Sequence, residues 1–186
     1  MTAAAFYFDL ASPEAYLAAE RVLHVLPAPA QWQPILAAAP DGGPAREELQ
    51  SSLAARASEL GLQPLRLPDP FPFDSSLAMR VASYAKSIGR TVPFAQAAFR
   101  QAYAGGHSLQ DPDYVLIAAA ACEMHPAAVL RAADMRSVRE QLERASVEAA
   151  AAGVSSVPAI IVEGTVFQGE DAPELAREHM LAGGER

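Results

Sequence analysis

The sequence has one cysteine, Cys122, and no asparagine among its 186 residues. A single cysteine excludes an internal disulfide. It also argues against dithiol exchange, which needs both an attacking and a resolving thiol. Cys122 lies in the apolar stretch YVLIAAAACEM. Because a free cysteine packs as a small hydrophobe, this setting predicts a buried structural thiol.

Long apolar runs and excess positive charge are missing as well. No run reaches the roughly 18 apolar residues that a membrane helix needs, and the N-terminus lacks the basic start and apolar core of a signal peptide. We therefore expect a cytoplasmic protein without a membrane contact. The net charge of −8 argues against nonspecific nucleic-acid binding, which requires basic patches. No metal-ligand spacing is present, so no metal site is expected.

About half of the residues are apolar, which suffices for the core of a single domain. The first part of the chain predicts a strand over residues 4–9, a helix over 13–25 and a second strand over 31–36. Pro34 marks the edge or the end of that second strand. Two strands joined in this way by a helix are expected to be parallel.

From about residue 44 to 152 the sequence predicts only helices. Glycines and prolines divide this region into helices over 44–60, 74–88, 93–104, 112–124 and 137–152, with a short helix from 126. Asp74 and Asp111 are expected to be helix N-caps. Strands return at 157–162 and 165–169 around a Glu-Gly turn, and a helix follows over 172–181.

This order of elements is that of an α/β, thioredoxin-like fold with an all-helical insertion. The segment FYFDLASPEAYLA resembles the start of kappa-class glutathione transferases and 2-hydroxychromene-2-carboxylate isomerases, and AAAAGVSSVPAIIVEGTVFQGED resembles the end of that family. DPFPFDSSLAMR resembles a central stretch. The predicted division is a thioredoxin-like domain of residues 1–40 and 145–186, with a helical insertion domain over 41–144.

The wider group includes DsbA-like oxidoreductases, which have C-P-x-C where this chain has Ser12-Pro13-Glu14-Ala15. Ser12 before a proline predicts a helix N-cap. A helix N-terminus also offers N–H donors and partial positive charge, so a hydroxyl there can hydrogen-bond a thiolate. The resemblance implies that Ser12 is the catalytic residue, which holds the sulfur of glutathione and does not itself act as a nucleophile.

Two further segments complete the expected site. Val157-Pro158 opens a strand, and the resemblance implies a cis bond and a Val157 backbone that hydrogen-bonds the peptide of glutathione. Glu170 and Asp171 precede the last helix, where Asp171 fits an N-cap. The resemblance implies that this pair binds the γ-glutamyl end of glutathione.

The segment after the second strand departs from the family. Relatives have an asparagine and a lysine there that help to hold glutathione, whereas PILAAAPDGGPAREEL has neither and offers only Arg46 as a cation. The glycine carboxylate of glutathione would lack its usual partner. Elsewhere, Trp32 is expected in the core, Phe71 and Phe73 as an apolar wall for an aromatic substrate, and His107 could line a cleft.

The resemblance implies a glutathione-dependent isomerase that acts on an aromatic ring-cleavage product in bacterial aromatic catabolism. In that reaction a thiolate adds to a conjugated carbon, a bond rotates, and elimination restores the double bond. Two alternatives stay open. One is a kappa-like glutathione transferase or peroxidase, and the other is a redox-inactive DsbA-like binding module without glutathione. A homodimer also stays open.

Overall fold

The computed structural model describes residues 4–37 and 45–183. In chain order the elements are β1 (Ala4–Phe8), α1 (Pro13–Val25), β2 (Ala30–Pro34), α2 (Arg46–Glu59), α3 (Ser76–Ser87), α4 (Thr91–Phe99) with a π-helical turn (Arg100–Ala104), α5 (Pro112–Ala121), α6 (Pro126–Asp134), α7 (Arg136–Ala151), β3 (Ala159–Val162), β4 (Thr165–Gln168) and α8 (Ala172–Gly183). The expected domain boundary at residues 40 and 41 lies outside the described residues.

The four strands form one mixed sheet in the order β2-β1-β3-β4. β1 is parallel to β2 and antiparallel to β3, so Phe6 lies between Trp32 on one side and Ile160 on the other. The predicted parallel pair is confirmed. β2 is an edge strand that ends at Pro34, as expected for a residue without a backbone N–H to donate.

The turn between β3 and β4 is the predicted Glu-Gly turn. Both turn residues have left-handed backbone conformations, with φ of 50° at Glu163 and 82° at Gly164. Two-residue hairpins favour this geometry because its twist matches that of the flanking strands. The turn holds β3 and β4 in register from Val162 opposite Thr165 to Ala159 opposite Gln168.

An aromatic cluster joins the sheet to the helices. Phe6 and Phe8 are two residues apart in β1, so their side chains point to the same face of the strand, where both are fully buried. The ring of Trp32 meets Phe6 edge-on at a centroid distance of 4.9 Å, and Phe99 lies 5.8 Å from Phe8. The prediction of Trp32 as a core residue is confirmed, although its indole Nε1 has no hydrogen-bond partner among the described residues.

Two helix predictions need correction. Asp74 was expected to cap α3, but the N-cap is Ser75, and Asp74 accepts the Ser76 N–H at 2.8 Å from one position earlier. The hydroxyl of Ser75 makes no capping bond and donates to the buried Asp9 carboxylate at 2.8 Å. The helix expected over 93–104 is regular only to Phe99, after which a π-helical turn follows.

The region between β2 and β3 contains helices and no named strand within the described residues, as the sequence predicts. Helix α7 runs from Arg136 to Ala151 and so continues across the expected domain boundary at 145. The division into two domains stays a prediction. No helix in the described ranges combines the length and apolar character needed to cross a membrane.

Phe99→Ala is expected to lower the free energy of unfolding by about 3–5 kcal/mol, the usual cost of removing a buried aromatic ring. Phe99 is fully buried and contacts the rings of Phe8, Tyr16 and Tyr103. Urea denaturation followed by circular dichroism measures the loss. Ile117→Ala, at a residue 49% exposed on α5, is the control and should cost far less. Equal costs would mean that this cluster does not join the sheet to the helices.

Candidate active site

Ser12 occupies the turn between β1 and α1. Its backbone is extended, with φ of −92° and ψ of 115°, and its hydroxyl oxygen accepts the Ala15 N–H at 3.0 Å. Pro13 takes the first helical position, where its missing N–H costs nothing. The predicted N-cap is confirmed. The Ser12 side chain therefore lies at the positive end of the α1 dipole.

The fold brings Ser12 next to Val157, 145 residues along the chain. Ser12 Oγ lies 3.4 Å from the Val157 carbonyl oxygen and 3.0 Å from Glu14 Oε2. The Val157–Pro158 bond is cis, as the resemblance implies. Because a hydroxyl has one proton, Ser12 donates to one of these oxygens at a time. A sulfur atom bound at Ser12 would have to take over that donation.

Glu170 and Asp171 follow β4 and lie beside the cis-proline segment. Gly169 N–H donates to the Pro158 carbonyl at 3.0 Å, which ties the start of this segment to Pro158. The guanidinium of Arg56 on α2 pairs with both acids, at 3.2 Å from Glu170 Oε2 and 2.7 Å from Asp171 Oδ1. The Asp171 carboxylate pairs with Arg56, and the Asp171 carbonyl accepts the Leu175 N–H at 3.0 Å at the start of α8, so its capping role stays a prediction.

A second arginine, Arg21 on α1, supports the same segment. Its buried guanidinium donates to the Glu170 carbonyl at 2.5 Å and pairs with the Glu174 carboxylate. Sequence reasoning missed Arg21 and Arg56. Arginine at these positions of a helix is common on a protein surface, and nothing local in the sequence indicates a partner more than a hundred residues away.

Asp9 lies at the end of β1, directly under the Ser12 turn. The Ser12 N–H donates to the Asp9 carbonyl at 3.1 Å, and the Ala11 N–H donates to its carboxylate at 2.9 Å. Asp9 is only 4% exposed, and this burial raises the pKa of its carboxyl above the usual value. One local signal points to Asp9: it is an acidic residue at the end of an apolar strand, and such a residue is rarely buried without partners.

Two tyrosines pack behind the Ser12 turn. Tyr103 is fully buried and donates its hydroxyl proton to the Leu10 carbonyl at 3.2 Å, while Tyr16 stacks on it at 5.6 Å. Burial raises the pKa of Tyr16 to about 12, and it raises the pKa of Tyr103 as well. Tyr16 lies in the core and not in the cleft. Neither hydroxyl is suited to releasing a proton near neutral pH.

The other expected residues have ordinary structural contacts. Arg46 donates to the carbonyls of Leu67 and Pro68, at 3.1 and 2.8 Å. His107 stacks on Tyr114 with a centroid distance of 4.2 Å. Cys122 is buried, as predicted, and burial raises the pKa of its thiol.

The two aromatic residues expected to form a substrate wall differ in burial. Phe71 and Phe73 meet edge-on at 6.4 Å, with Phe73 buried and Phe71 half-buried, so a role as a substrate wall stays a prediction. Among residues 4–37 and 45–183, no cluster of His, Cys, Asp and Glu side chains could hold a metal ion.

The sheet order, the capped α1 and the cis-proline segment beside it define a thioredoxin-like α/β protein with helices between the two parts of its sheet. The DSBA-like thioredoxin domain family matches residues 4–181. The chain therefore belongs to that family. A comparison with curated proteins found no match.

Solved structures share this fold at low identity. A 2-hydroxychromene-2-carboxylate isomerase is 17% identical with a TM-score of 0.83, over 96% of this chain and 94% of that chain. A probable DsbA oxidoreductase from Streptomyces coelicolor is 20% identical with a TM-score of 0.78, over 100% and 92%. The cytosolic disulfide reductase DsbM from Pseudomonas aeruginosa, solved with GSH, is 14% identical with a TM-score of 0.71, over 99% and 100%. Identities this low support the fold alone.

Ser12→Ala is expected to lower the free energy of unfolding by about 0.5–2 kcal/mol, because it removes the side-chain acceptor of the Ala15 N–H. Ser12→Gly should lower the free energy of unfolding by only about a few tenths of a kcal/mol, since glycine is a tolerated N-cap. Urea midpoints of both variants and the unaltered protein give the comparison. If alanine proves no worse than glycine, the cap contributes no measurable stability.

Proposed function

We propose that the chain is a glutathione-dependent isomerase similar to 2-hydroxychromene-2-carboxylate isomerase, which acts in the cytoplasm on a small aromatic ring-cleavage product. The observation that carries the proposal is the Ser12 hydroxyl at the N-terminus of α1, 3.4 Å from the Val157 carbonyl beside a cis proline. A kappa-like transferase or peroxidase would use the same site. The similarity of this chain's fold to that of a solved isomerase favours the isomerase over the transferase or peroxidase.

The residues at the site suit a thiol ligand with a peptide backbone. The Ser12 hydroxyl offers a donor for a thiolate at the N-terminus of α1, where the helix dipole favours negative charge. Val157 lies just before the β3 ladder, which starts at Ala159, so its backbone can add a strand-like contact to a peptide. Asp171 offers a carboxylate for a ligand ammonium group. In this proposal, Ser12, Val157, Pro158, Glu170 and Asp171 would hold glutathione.

When bound, glutathione would supply the thiolate that adds to a conjugated carbon of the substrate and leaves after rotation. The chain's own residues bind and orient. Ser12 donates a hydrogen bond to the sulfur, and the α1 N-terminus favours its negative charge. The buried tyrosines behind the turn hold their protons, so a general acid from that side is not part of the proposal.

Arg56 offsets part of the negative charge that Glu170 would present to the carboxylate of a γ-glutamyl group. Two adjacent carboxylates would repel the ligand's own carboxylate, but the Arg56 guanidinium lies within 3.2 Å of both. Arg56 also pairs with Glu59 Oε2 at 3.3 Å, so each of its three nitrogens contacts a carboxylate. These contacts use three of the five guanidinium N–H groups and leave two donors for a ligand. Arg56 thereby makes the segment able to take a group that has both an ammonium and a carboxylate.

A redox-inactive binding module is the second candidate, and a specific contact favours it. The Ser12 hydroxyl lies closer to Glu14 Oε2, at 3.0 Å, than to any ligand-facing acceptor, and a carboxylate there opposes a thiolate by like charge. Arg46, the expected replacement for the missing lysine, is already bonded to two carbonyls. A ligand other than glutathione would suit this arrangement.

Calorimetric titration with glutathione at pH 8 tests the proposal. The unaltered protein is expected to bind in the micromolar-to-millimolar range, with ionisation of the thiol seen as thiolate absorbance. Ser12→Ala should lose that ionisation and most of the isomerase activity. No binding at several millimolar would exclude both glutathione-dependent activities and leave the binding module.

The control for this titration is Asp111→Ala. Asp111 caps α5 as Ser12 caps α1: it accepts the Asp113 N–H at 2.9 Å and precedes a proline. Its loss should cost similar stability without changing glutathione binding. If Asp111→Ala weakened binding as much as Ser12→Ala, a loss of folded protein would explain both results.

Arg56→Gln is expected to weaken glutathione binding about fivefold, the effect of losing an exposed ion pair of about 1 kcal/mol. Without the guanidinium, Glu170 and Asp171 would face the ligand with two uncompensated negative charges. Isothermal titration measures the change. Arg139→Gln, which breaks the distant exposed pair with Asp134, is the control. Unchanged or tighter binding by Arg56→Gln would remove Arg56 from the ligand site.

A further inference from the structure

Asp9 connects three elements through one buried carboxylate. Oδ1 accepts the Ala11 N–H at 2.9 Å and the Ser75 hydroxyl at 2.8 Å, and Oδ2 accepts the Ala37 N–H at 3.0 Å. These donors belong to the Ser12 turn, to the N-cap of α3 and to the segment that leaves β2. A carboxylate that is 4% exposed is stable in the fold only with such partners.

The same residue also fixes the backbone of the Ser12 turn. The Asp9 carbonyl accepts the Ser12 N–H at 3.1 Å, while its side chain accepts the N–H of the residue between them, Ala11. These two bonds close the turn from both sides. The direction in which the Ser12 hydroxyl leaves the backbone therefore depends on where the Asp9 carboxylate lies.

We propose that Asp9 is the positioning residue of the Ser12 site, holding the Ser12 turn, the exit of β2 and the start of α3 in fixed relation. The inference rests on the proposed function, because it assigns Asp9 its role through the hydroxyl that meets the ligand sulfur. Asp9 does not touch the ligand. Its effect comes from geometry, since it sets the distance between Ser12 and Val157, the two groups on either side of the ligand position.

Two substitutions separate geometry from charge. Asp9→Asn removes the charge and leaves one acceptor oxygen for three donors, so at least one of the bonds to Ala11, Ser75 and Ala37 is lost. Ser75→Ala keeps the Asp9 charge and removes a single donor. Ser83→Ala is the matched control, because Ser83 is also a buried serine, 2% exposed against 8% for Ser75, about two turns later in α3. Ser75→Ala also carries the test if Asp9→Asn folds poorly.

The first measurement compares the dissociation constants of glutathione and of its analogue with a methyl group in place of the thiol. Asp9→Asn is expected to weaken glutathione about tenfold, the loss of one charge-assisted hydrogen bond, and Ser75→Ala to weaken it to a smaller degree. Neither should alter binding of the analogue, which has no sulfur for Ser12 to hold. A residue with a purely structural role would weaken both ligands equally, which would overturn the proposal. Tighter glutathione binding by Asp9→Asn would also overturn it, because Asp9 would then act through its charge.

The second measurement needs no ligand. Because asparagine keeps one side-chain oxygen, amide hydrogen exchange at Ala11 or at Ala37, whichever loses its acceptor, should become about tenfold faster in Asp9→Asn, while Ile160 in the centre of the sheet stays protected. Unchanged exchange at Ala11 and Ala37 would show that Asp9 does not position the turn. If the unaltered protein fails to bind glutathione, the proposed function is wrong, and the exchange data still decide whether Asp9 positions the Ser12 turn.

Discussion

The antiparallel pairing of β1 with β3 is the interaction on which the site depends. It joins Ala4 to Val162 and Tyr7 to Ala159, residues more than 150 positions apart. Closing so long a loop costs chain entropy, although that cost grows only slowly with loop length. The helices between the two strands bury the aromatic cluster against the sheet, and this burial offsets the entropy cost of closing the loop. With β1 and β3 in register, the Ser12 turn and the Val157–Pro158 segment lie side by side, and neither segment alone could form this site.

Some groups at the candidate site favour a bound anion, and others oppose it. The N-terminus of α1 favours an anion next to Ser12, whereas the Glu14 carboxylate lies within 3.0 Å of the Ser12 hydroxyl and opposes one. On the other side, the single positive charge of Arg56 lies against three carboxylates, those of Glu59, Glu170 and Asp171, and offsets them only in part. The candidate site therefore combines a neutral hydrogen-bond donor, the Ser12 hydroxyl, with a separate ion-paired segment, and the two halves are joined by the Gly169 bond to Pro158.

Local sequence signals gave the strands, the helices and the Ser12 cap, because each depends on residues within one turn of one another. The hydrogen bonds of Asp9 to Ser75 and Ala37 span 66 and 28 residues, and Arg56 meets Asp171 across 115. No periodicity or capping rule reaches that far. The start of α3 also combines a local and a distant contact: Asp74 accepts the Ser76 N–H, whereas the hydroxyl of Ser75 makes no capping bond and donates to the distant carboxylate of Asp9.

Replacement of the C-P-x-C cysteines changes where a reactive sulfur can come from, while the surroundings of that sulfur are kept. Pro13 still starts the helix, Ser12 still offers a donor at its N-terminus, and Pro158 is still cis opposite it. The chain's one thiol, Cys122, is buried at the end of α5, and burial raises its pKa, which disfavours the thiolate. A reaction that uses sulfur at this site must therefore receive it with a ligand.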